Sequence, residues 1–252
     1  MQASVKIMDI DVDMMTNDSF IQEINEYLIS DKLNVIFFAS TELLNHAVED
    51  EDYRELIDQA DLLLPGEEPL LSAHHVEVLE AGGMVVSCKS FGNMLANLWK
   101  EERSMYIIAK SETEITTLET WCKKMQPELR ELGTWEYNPE DPATEDATLV
   151  NEINSHTPDM LLVNLELGHQ ERWIMEHKDM LDAKLCIAIG GVEGMILAEE
   201  KETPDWVRKF HLTGFYEKLV KQQKVKKDYR ARIFRKQVVQ YNNQNENKKD
   251  DV

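Results

Sequence analysis

The strongest constraint in this 252-residue sequence is a set of short, wholly apolar, partly β-branched runs separated by amphipathic stretches. Asn34 to Ala39 (NVIFFA), Asp61 to Leu64, Ser104 to Ala109 (SMYIIA), Asp159 to Asn164 and Lys184 to Ile189 are of this kind. Such runs suit strands buried on both faces, the usual position of strands in a parallel sheet. Between them the spacing changes. Ser19 to Leu28 places Phe20, Ile21, Ile24, Tyr27 and Leu28 at helical intervals, with Thr16 or Asn17 as a cap. Leu43 to Gln59 reads as one helix or two. Phe91 to Lys100, Glu112 to Met125, Ala147 to Ser155 and Gln170 to Met180 read as one helix each. Met84 to Val86 is too brief to assign, and Asn138 to Pro142 is a loop.

Strands alternating with helices predict an α/β fold: a parallel sheet with right-handed crossovers and helices on both faces. Beyond Pro204 the alternation ends. Trp206 to Tyr241 reads as one or two basic helices, and Asn242 to Val252 as a polar tail that frays. The expected division is an α/β domain over residues 1–203, a basic helical appendage over 204–241 and a disordered tail over 242–252.

Charge is unevenly distributed over this plan. The formal net charge is −21, which excludes a generic nucleic-acid binder because backbone binding needs cations to displace counterions. Yet Lys218 to Lys249 carries 11 basic against 2 acidic residues. Its cations are interleaved with Leu219, Val220, Val225, Ile233, Phe234, Val238 and Val239. A basic amphipathic helix of this type suits an anionic membrane surface, and it equally suits docking on the chain's own acidic body. Three scattered cysteines, Cys88, Cys122 and Cys186, form neither a disulfide framework nor a zinc motif and fit a reducing cytoplasm. No apolar run approaches the roughly 20 residues of a membrane span, and the opening residues lack the apolar core of a signal peptide.

Few motifs carry chemistry. Asp9, Asp11 and Asp13 imitate the opening of a calcium loop, but Met14 and Phe20 stand where that loop needs Gly and Glu, so their role is read as structural. His74-His75 is the only close histidine pair, and adjacent residues diverge on a helix; no metal site is expected. Serine-hydrolase, P-loop and zincin signatures are missing from the sequence. Gly190-Gly191 follows the run KLCIAI, where glycines let a backbone approach a phosphate or simply make a tight turn. Glu67 and Glu68 follow Leu62-Leu63-Leu64-Pro65-Gly66, where a carboxylate can serve as general base or lie in a solvated acidic loop.

Several segments, taken in order, resemble one family. PDMLLVNLELGHQERWI followed by AKLCIAIGG is similar to the strand, Gln-Glu-x-Trp-Ile helix start and Gly-Gly strand end of the WecG/TagA/CpsF glycosyltransferases, glycosyltransferase family 26. IDVDMMTNDSF resembles that family's opening strand and helix. STELLNHAVEDEDYRELIDQADLLLP resembles its first nucleotide-side unit, and TPDWVRKFHLTGFYEKL with the following basic stretch resembles its carboxyl-terminal appendage. The resemblance implies a Rossmann-like fold and metal-independent, inverting transfer of an N-acetylhexosamine-type sugar from a UDP donor. The implied acceptor is linked to a polyisoprenyl diphosphate, in cell-surface polysaccharide or teichoic-acid synthesis.

The implied location is cytoplasmic and peripheral, at the inner face of the cell membrane. No cofactor is implied, and a homo-oligomer stays open. The implied roles are Glu67 or Glu68 as base and Thr41, Gln170, Glu171, Trp173, Gly190 and Gly191 at the substrates, with Gly190 and Gly191 cradling the donor diphosphate. Arg230, Arg232 and Arg235 would face the lipid diphosphate or the membrane.

The sequence departs from the family at polar positions. Gly66-Glu67-Glu68-Pro69 stands where the family has Asp-Gly-x-Gly with the proposed base. Phe38 to Glu42 replaces Thr-x-Asn-x-Glu and retains only the Glu, and the Glu-Arg motif is not recognisable around Val85 to Ser90. Glu193-Gly194-Met195 stands for Phe-Asp-Phe, and Leu212-Thr213-Gly214 for Leu-Glu-Trp. The alternative reading is therefore a catalytically silent member that binds or regulates an active glycosyltransferase.

Overall fold

The computed structural model describes residues 3–67, 70–71, 87–98, 102–138, 142–190 and 231–244. The chain opens with an antiparallel hairpin, β1 (Ala3–Ile7) and β2 (Ile10–Met14). Ile7 pairs with Ile10, leaving Met8 and Asp9 as a two-residue turn, both at positive φ as primed hairpin turns require. Where the family resemblance of IDVDMMTNDSF implied one opening strand, there are two.

Then follow α1 (Asn17–Tyr27), β3 (Asn34–Ala39), α2 (Thr41–Glu49), α3 (Glu51–Ile57) and β4 (Leu62–Pro65). After α4 (Ser87–Ala96) come β5 (Ser104–Ala109), α5 (Glu112–Met125), β6 (Arg130–Glu136) and α6 (Pro142–His156). The order closes with β7 (Met160–Asn164), α7 (His169–His177), a 3-10 turn Lys178–Met180 and β8 (Leu185–Ala188). A further helix, α8, spans residues 231–244.

Six strands form an all-parallel sheet in the order β4-β3-β8-β7-β5-β6. The apolar runs fill both faces by simple alternation. Val35, Phe37 and Ala39 of β3, with Cys186 and Ala188 of β8, enter one core shared with α2, α3, α6 and α7. Ile36 of β3, with Leu185 and Ile187 of β8, enters the other core, shared with α1, α4 and α5. Burial pushes the Cys122 thiol up to about 12 and raises the Cys186 thiol as well, so both behave as apolar filling.

Caps explain the helix limits. Thr16 accepts the Ser19 amide at 3.2 Å and starts α1. Asp50 divides Leu43 to Gln59 into two helices: its amide closes α2 on His46 O, while its carboxylate accepts the Tyr53 amide at 3.0 Å and opens α3. β6 was not expected from the sequence; RELGTWE is a half-exposed edge strand with no apolar run. α6 begins earlier and α7 ends sooner than their periodicity suggested. Met84 to Val86 and the expected helical residues 206–230 lie outside the described residues.

The three opening aspartates separate into different structural tasks. Asp11 pairs with Lys6 within the hairpin, and Asp9 accepts the Tyr241 hydroxyl at 3.0 Å. Asp13 accepts the Leu63 amide at 2.9 Å, so its carboxylate bonds the β4 edge. Burial raises the pKa of Asp13 despite that hydrogen bond. Among the described residues, no group of three or more His, Cys, Asp or Glu side chains is placed to hold a metal. None of the described helices is long and apolar enough to cross a membrane.

Candidate active site

The carboxyl ends of the parallel strands form one edge, and the connections part there. From β3 the chain moves outward to β4; from β5 it moves the opposite way to β6; β8 fills the centre between β3 and β7. Crevices where connections diverge are where open α/β sheets receive ligands.

On the β3–β4 side, β3 runs into α2 through Ser40, whose hydroxyl accepts the Leu43 amide at 3.0 Å. Thr41 is therefore the first residue of a helix that starts at the sheet edge. β4 ends at Pro65, and the Gly66 amide bonds Ala39 O at 2.7 Å, tying the following turn to β3. These two ends bring Thr41 and Glu67 together: the Thr41 hydroxyl donates to Glu67 Oε2 at 3.5 Å, a long hydrogen bond. Glu67 is half-buried, and its carbonyl accepts the Leu70 amide at 3.2 Å. Glu68 lies outside the described residues.

The β7–α7 loop and the end of β8 form a second, interior assembly. Gly168 caps α7 with φ at +83°, a conformation L side chains rarely adopt, and its amide donates to Glu171 Oε2 at 2.7 Å. Gln170 Nε2 donates to Glu171 Oε1 at 2.8 Å, and Gln170 Oε1 accepts the Gly190 amide at 2.9 Å. Gly190 fits because it lacks a side chain; a Cβ there would stand 2.3 Å from Leu165 O. Glu171 is 1% exposed. Burial pushes its carboxyl above the usual range, while hydrogen bonds from Gln170 and Gly168 pull it back. The Tyr53 hydroxyl of α3, fully buried, lies toward Glu171 without closing a hydrogen bond. His46 stacks on Tyr53 at 4.3 Å, and the Arg172 guanidinium sits over the Tyr53 ring at 5.4 Å. Arg172 also pairs with Asp50 at 2.6 Å.

Two expectations change on this geometry. The Gly190 amide, anticipated as a phosphate donor, is already bonded to Gln170. Trp173, anticipated at the sugar, is 2% exposed, and its indole N–H donates to Asp146 at 2.7 Å. Asp146 also accepts the Tyr137 hydroxyl at 2.9 Å, so Trp173 supports the loop from within the core. Gly191 and Arg230 lie outside the described residues. The sequence reading missed Tyr53, Asp146 and Gly168. Only Gly168, a glycine just ahead of a helix, carried a local signal.

Between β5 and β7 the edge is closed by the chain itself. Ser111 caps α5, Glu114 Oε2 accepts the Lys110 amide at 3.1 Å, and buried Asn164 donates to the same oxygen at 3.2 Å.

The basic helix α8 is docked on the body over its described length. Phe234 (1% exposed) and Val238 enter the core shared with α2 and α3. Gln237 accepts from Asn45 of α2 at 3.4 Å, and Tyr241 reaches Asp9 of the hairpin. Its helical residues run to 244, past the expected limit at 241. Arg232 and Arg235 remain exposed, as do Ile233 and Val239. A hollow of about 440 Å³ beside α8 is lined by Arg235, Lys236, Val239, Gln240, Asn243 and Gln244.

A six-stranded parallel sheet flanked by helices, with its connections parting at the carboxyl edge, places the chain in the open α/β class. Within that class the chain belongs to the glycosyl transferase WecG/TagA/CpsF family, whose model matches residues 5–243. It is also similar to an N-acetylglucosaminyldiphosphoundecaprenol N-acetyl-beta-D-mannosaminyltransferase of Staphylococcus aureus. Identity is 21% over 220 residues, covering 86% of this chain and 85% of the relative, in both strain NCTC 8325 / PS 47 and strain MW2.

Proposed function

We propose that this chain transfers an N-acetylhexosamine-type sugar from a UDP donor to a polyisoprenyl-diphosphate-linked acceptor, in the synthesis of a cell-surface polysaccharide or teichoic acid. The observation that carries the reading is the meeting of Thr41 and Glu67 at the ends of adjacent strands. Family membership and the relatives' activity, mannosaminyl transfer onto a diphosphoundecaprenol acceptor, support it.

In this reading the Glu67 carboxylate takes the proton of the acceptor hydroxyl. The oxygen then forms a bond to the sugar's anomeric carbon from the face opposite the diphosphate. The carbon–oxygen bond to the diphosphate breaks, UDP leaves with the electron pair, and the configuration inverts. A positioned base of this kind contributes about 10²–10⁴-fold. Thr41 orients the carboxylate, Glu68 is the second candidate base, and Gly191, which follows Gly190 in the sequence, would help cradle the diphosphate. Arg230, Arg232 and Arg235 would face the anionic lipid acceptor or the membrane surface, with Ile233 and Val239 supplying exposed apolar contact.

The silent alternative rests on the engaged Gly190 amide and on Gly66 standing where the family's Asp is expected, with Glu67 one residue beyond it. Calorimetry with UDP and UDP-amino sugars separates the two. Binding followed by turnover on a lipid-diphosphate acceptor supports the enzyme; no binding at millimolar donor leaves the silent member. Charge reversal of Arg232 and Arg235 should weaken binding to anionic vesicles, and undiminished binding would remove these arginines from the membrane contact.

A further inference from the structure

We infer that Glu171 is a positioning residue: its buried carboxylate fixes which way round the Gln170 amide lies, and so holds the turn at Gly190. The inference rests on the glycosyltransferase reading only for its effect on the donor.

The argument is one of donor and acceptor parity. Gln170 Nε2 donates to Glu171 Oε1 at 2.8 Å, so the side chain of Glu171 supplies the acceptor that the amide nitrogen needs. The Gln170 oxygen then faces the Gly190 N–H, a main-chain donor, at 2.9 Å. Reversing the amide would set a carbonyl against a carboxylate and an NH₂ against an N–H, two mismatches in an interior where unpaired polar groups are costly. The second Glu171 oxygen is already committed to the Gly168 amide. Gln170 and Glu171 are 3% and 1% exposed, so water does not compete for either group. Orientation is thus passed from the α7 start to the end of β8, twenty residues further along the chain.

A purely helix-capping role for Glu171 makes a different prediction. Glu171→Gln keeps an oxygen for the Gly168 amide, so the cap survives. Its NH₂ then faces Gln170, which must turn its oxygen inward and release Gly190. The exchanged pair Gln170→Glu with Glu171→Gln restores every donor–acceptor match with the polarity reversed.

The test measures hydrogen exchange at the Gly190 amide and UDP affinity in the wild type, Glu171→Gln and the exchanged pair. Gly190 exchange should be at least tenfold faster in Glu171→Gln and UDP affinity at least tenfold weaker, with both returning to within threefold of wild type in the exchanged pair. Unchanged Gly190 exchange in Glu171→Gln would overturn the inference, as would lost protection with unaltered UDP affinity. If the wild type does not bind UDP, the proposed function fails, and the exchange data alone decide whether Glu171 orients Gln170. Should Glu171→Gln not fold, a folded exchanged pair with a protected Gly190 supports the inference; an unfolded or unprotected one overturns it.

Discussion

Thr41 and Glu67 follow the carboxyl ends of two strands that are neighbours in the sheet, lie 26 residues apart in the chain, and meet where the hydroxyl of the first donates to the carboxylate of the second at 3.5 Å. With Glu67 as base, Glu67→Gln should lower turnover by about 10²–10⁴-fold while leaving donor affinity within about threefold. Thr41→Val should cost about tenfold through loss of one hydrogen bond to a charged group. Steady-state kinetics with donor calorimetry check both. An unaltered rate in Glu67→Gln would transfer the role to Glu68 or end the enzymatic reading.

Gly190→Ala places a methyl group 2.3 Å from Leu165 O and 2.4 Å from Gln170 Oε1. Neither the loop carbonyl nor the buried amide has room to yield, so overpacking should cost about 1–3 kcal/mol or more. Thermal denaturation should show a fall of several degrees, at about 2–4 °C per kcal/mol for a chain of this size.

Asp61 joins three groups at the amino edge of the sheet: Lys32 at 2.9 Å, Lys178 at 3.0 Å and the Val35 amide at 2.9 Å. Burial alone would raise its carboxyl, but the two lysines and the amide outweigh burial and hold it below the usual carboxylate range. A lowered native pKa contributes stability that is present above the unfolded value, about 4, and is lost as pH falls through the native one. Asp61→Asn should therefore lower stability at neutral pH by about 1–2 kcal/mol, allowing for solvent screening at Lys32. In urea titrations the gap between wild type and variant should close on acidification.

Phe234 is the anchor of α8. Phe234→Ala should destabilise by about 3–5 kcal/mol, whereas Val239→Ala on the exposed face should stay within about 0.5 kcal/mol. Equal effects of the two substitutions in chemical denaturation would contradict the docked position of α8.

Tyr53→Phe removes a buried hydroxyl with no hydrogen-bond partner among the described residues. Because no bond is lost, the change should be nearly neutral in stability, and the stack with His46 should survive. A loss above about 1.5 kcal/mol would show that the hydroxyl bonds Glu171 in solution.

The sheet was largely legible because its strands are buried on both sides. NVIFFA, SMYIIA and MLLVN cannot be satisfied on an amphipathic surface. β6 escaped notice because an edge strand needs no such run; Gly133 sits against the ring of Tyr106, and RELGTWE looks like a loop. The site was legible as an address more than as an arrangement. Pro65-Gly66 and Gly190 mark strand ends in one dimension, but no local pattern says that Gln170 will consume the Gly190 amide or that Trp173 will turn inward. Those facts depend on contacts between residues far apart in sequence. Tyr53 and Asp146 had no signal because each gains its meaning from a partner on another helix.

The central place of β8 bears on how the protein is made. On a ribosome, β3 and β4 emerge early, and β5, β6 and β7 emerge as a second group, and among the described strands β8 bridges the two. Until Leu185 to Ala188 leave the exit tunnel, β3 and β7 each present an unpaired apolar border, the kind that recruits other nascent chains. A transcript cut short before that codon would yield two half-sheets with no seam, a product destined for chaperones and proteases.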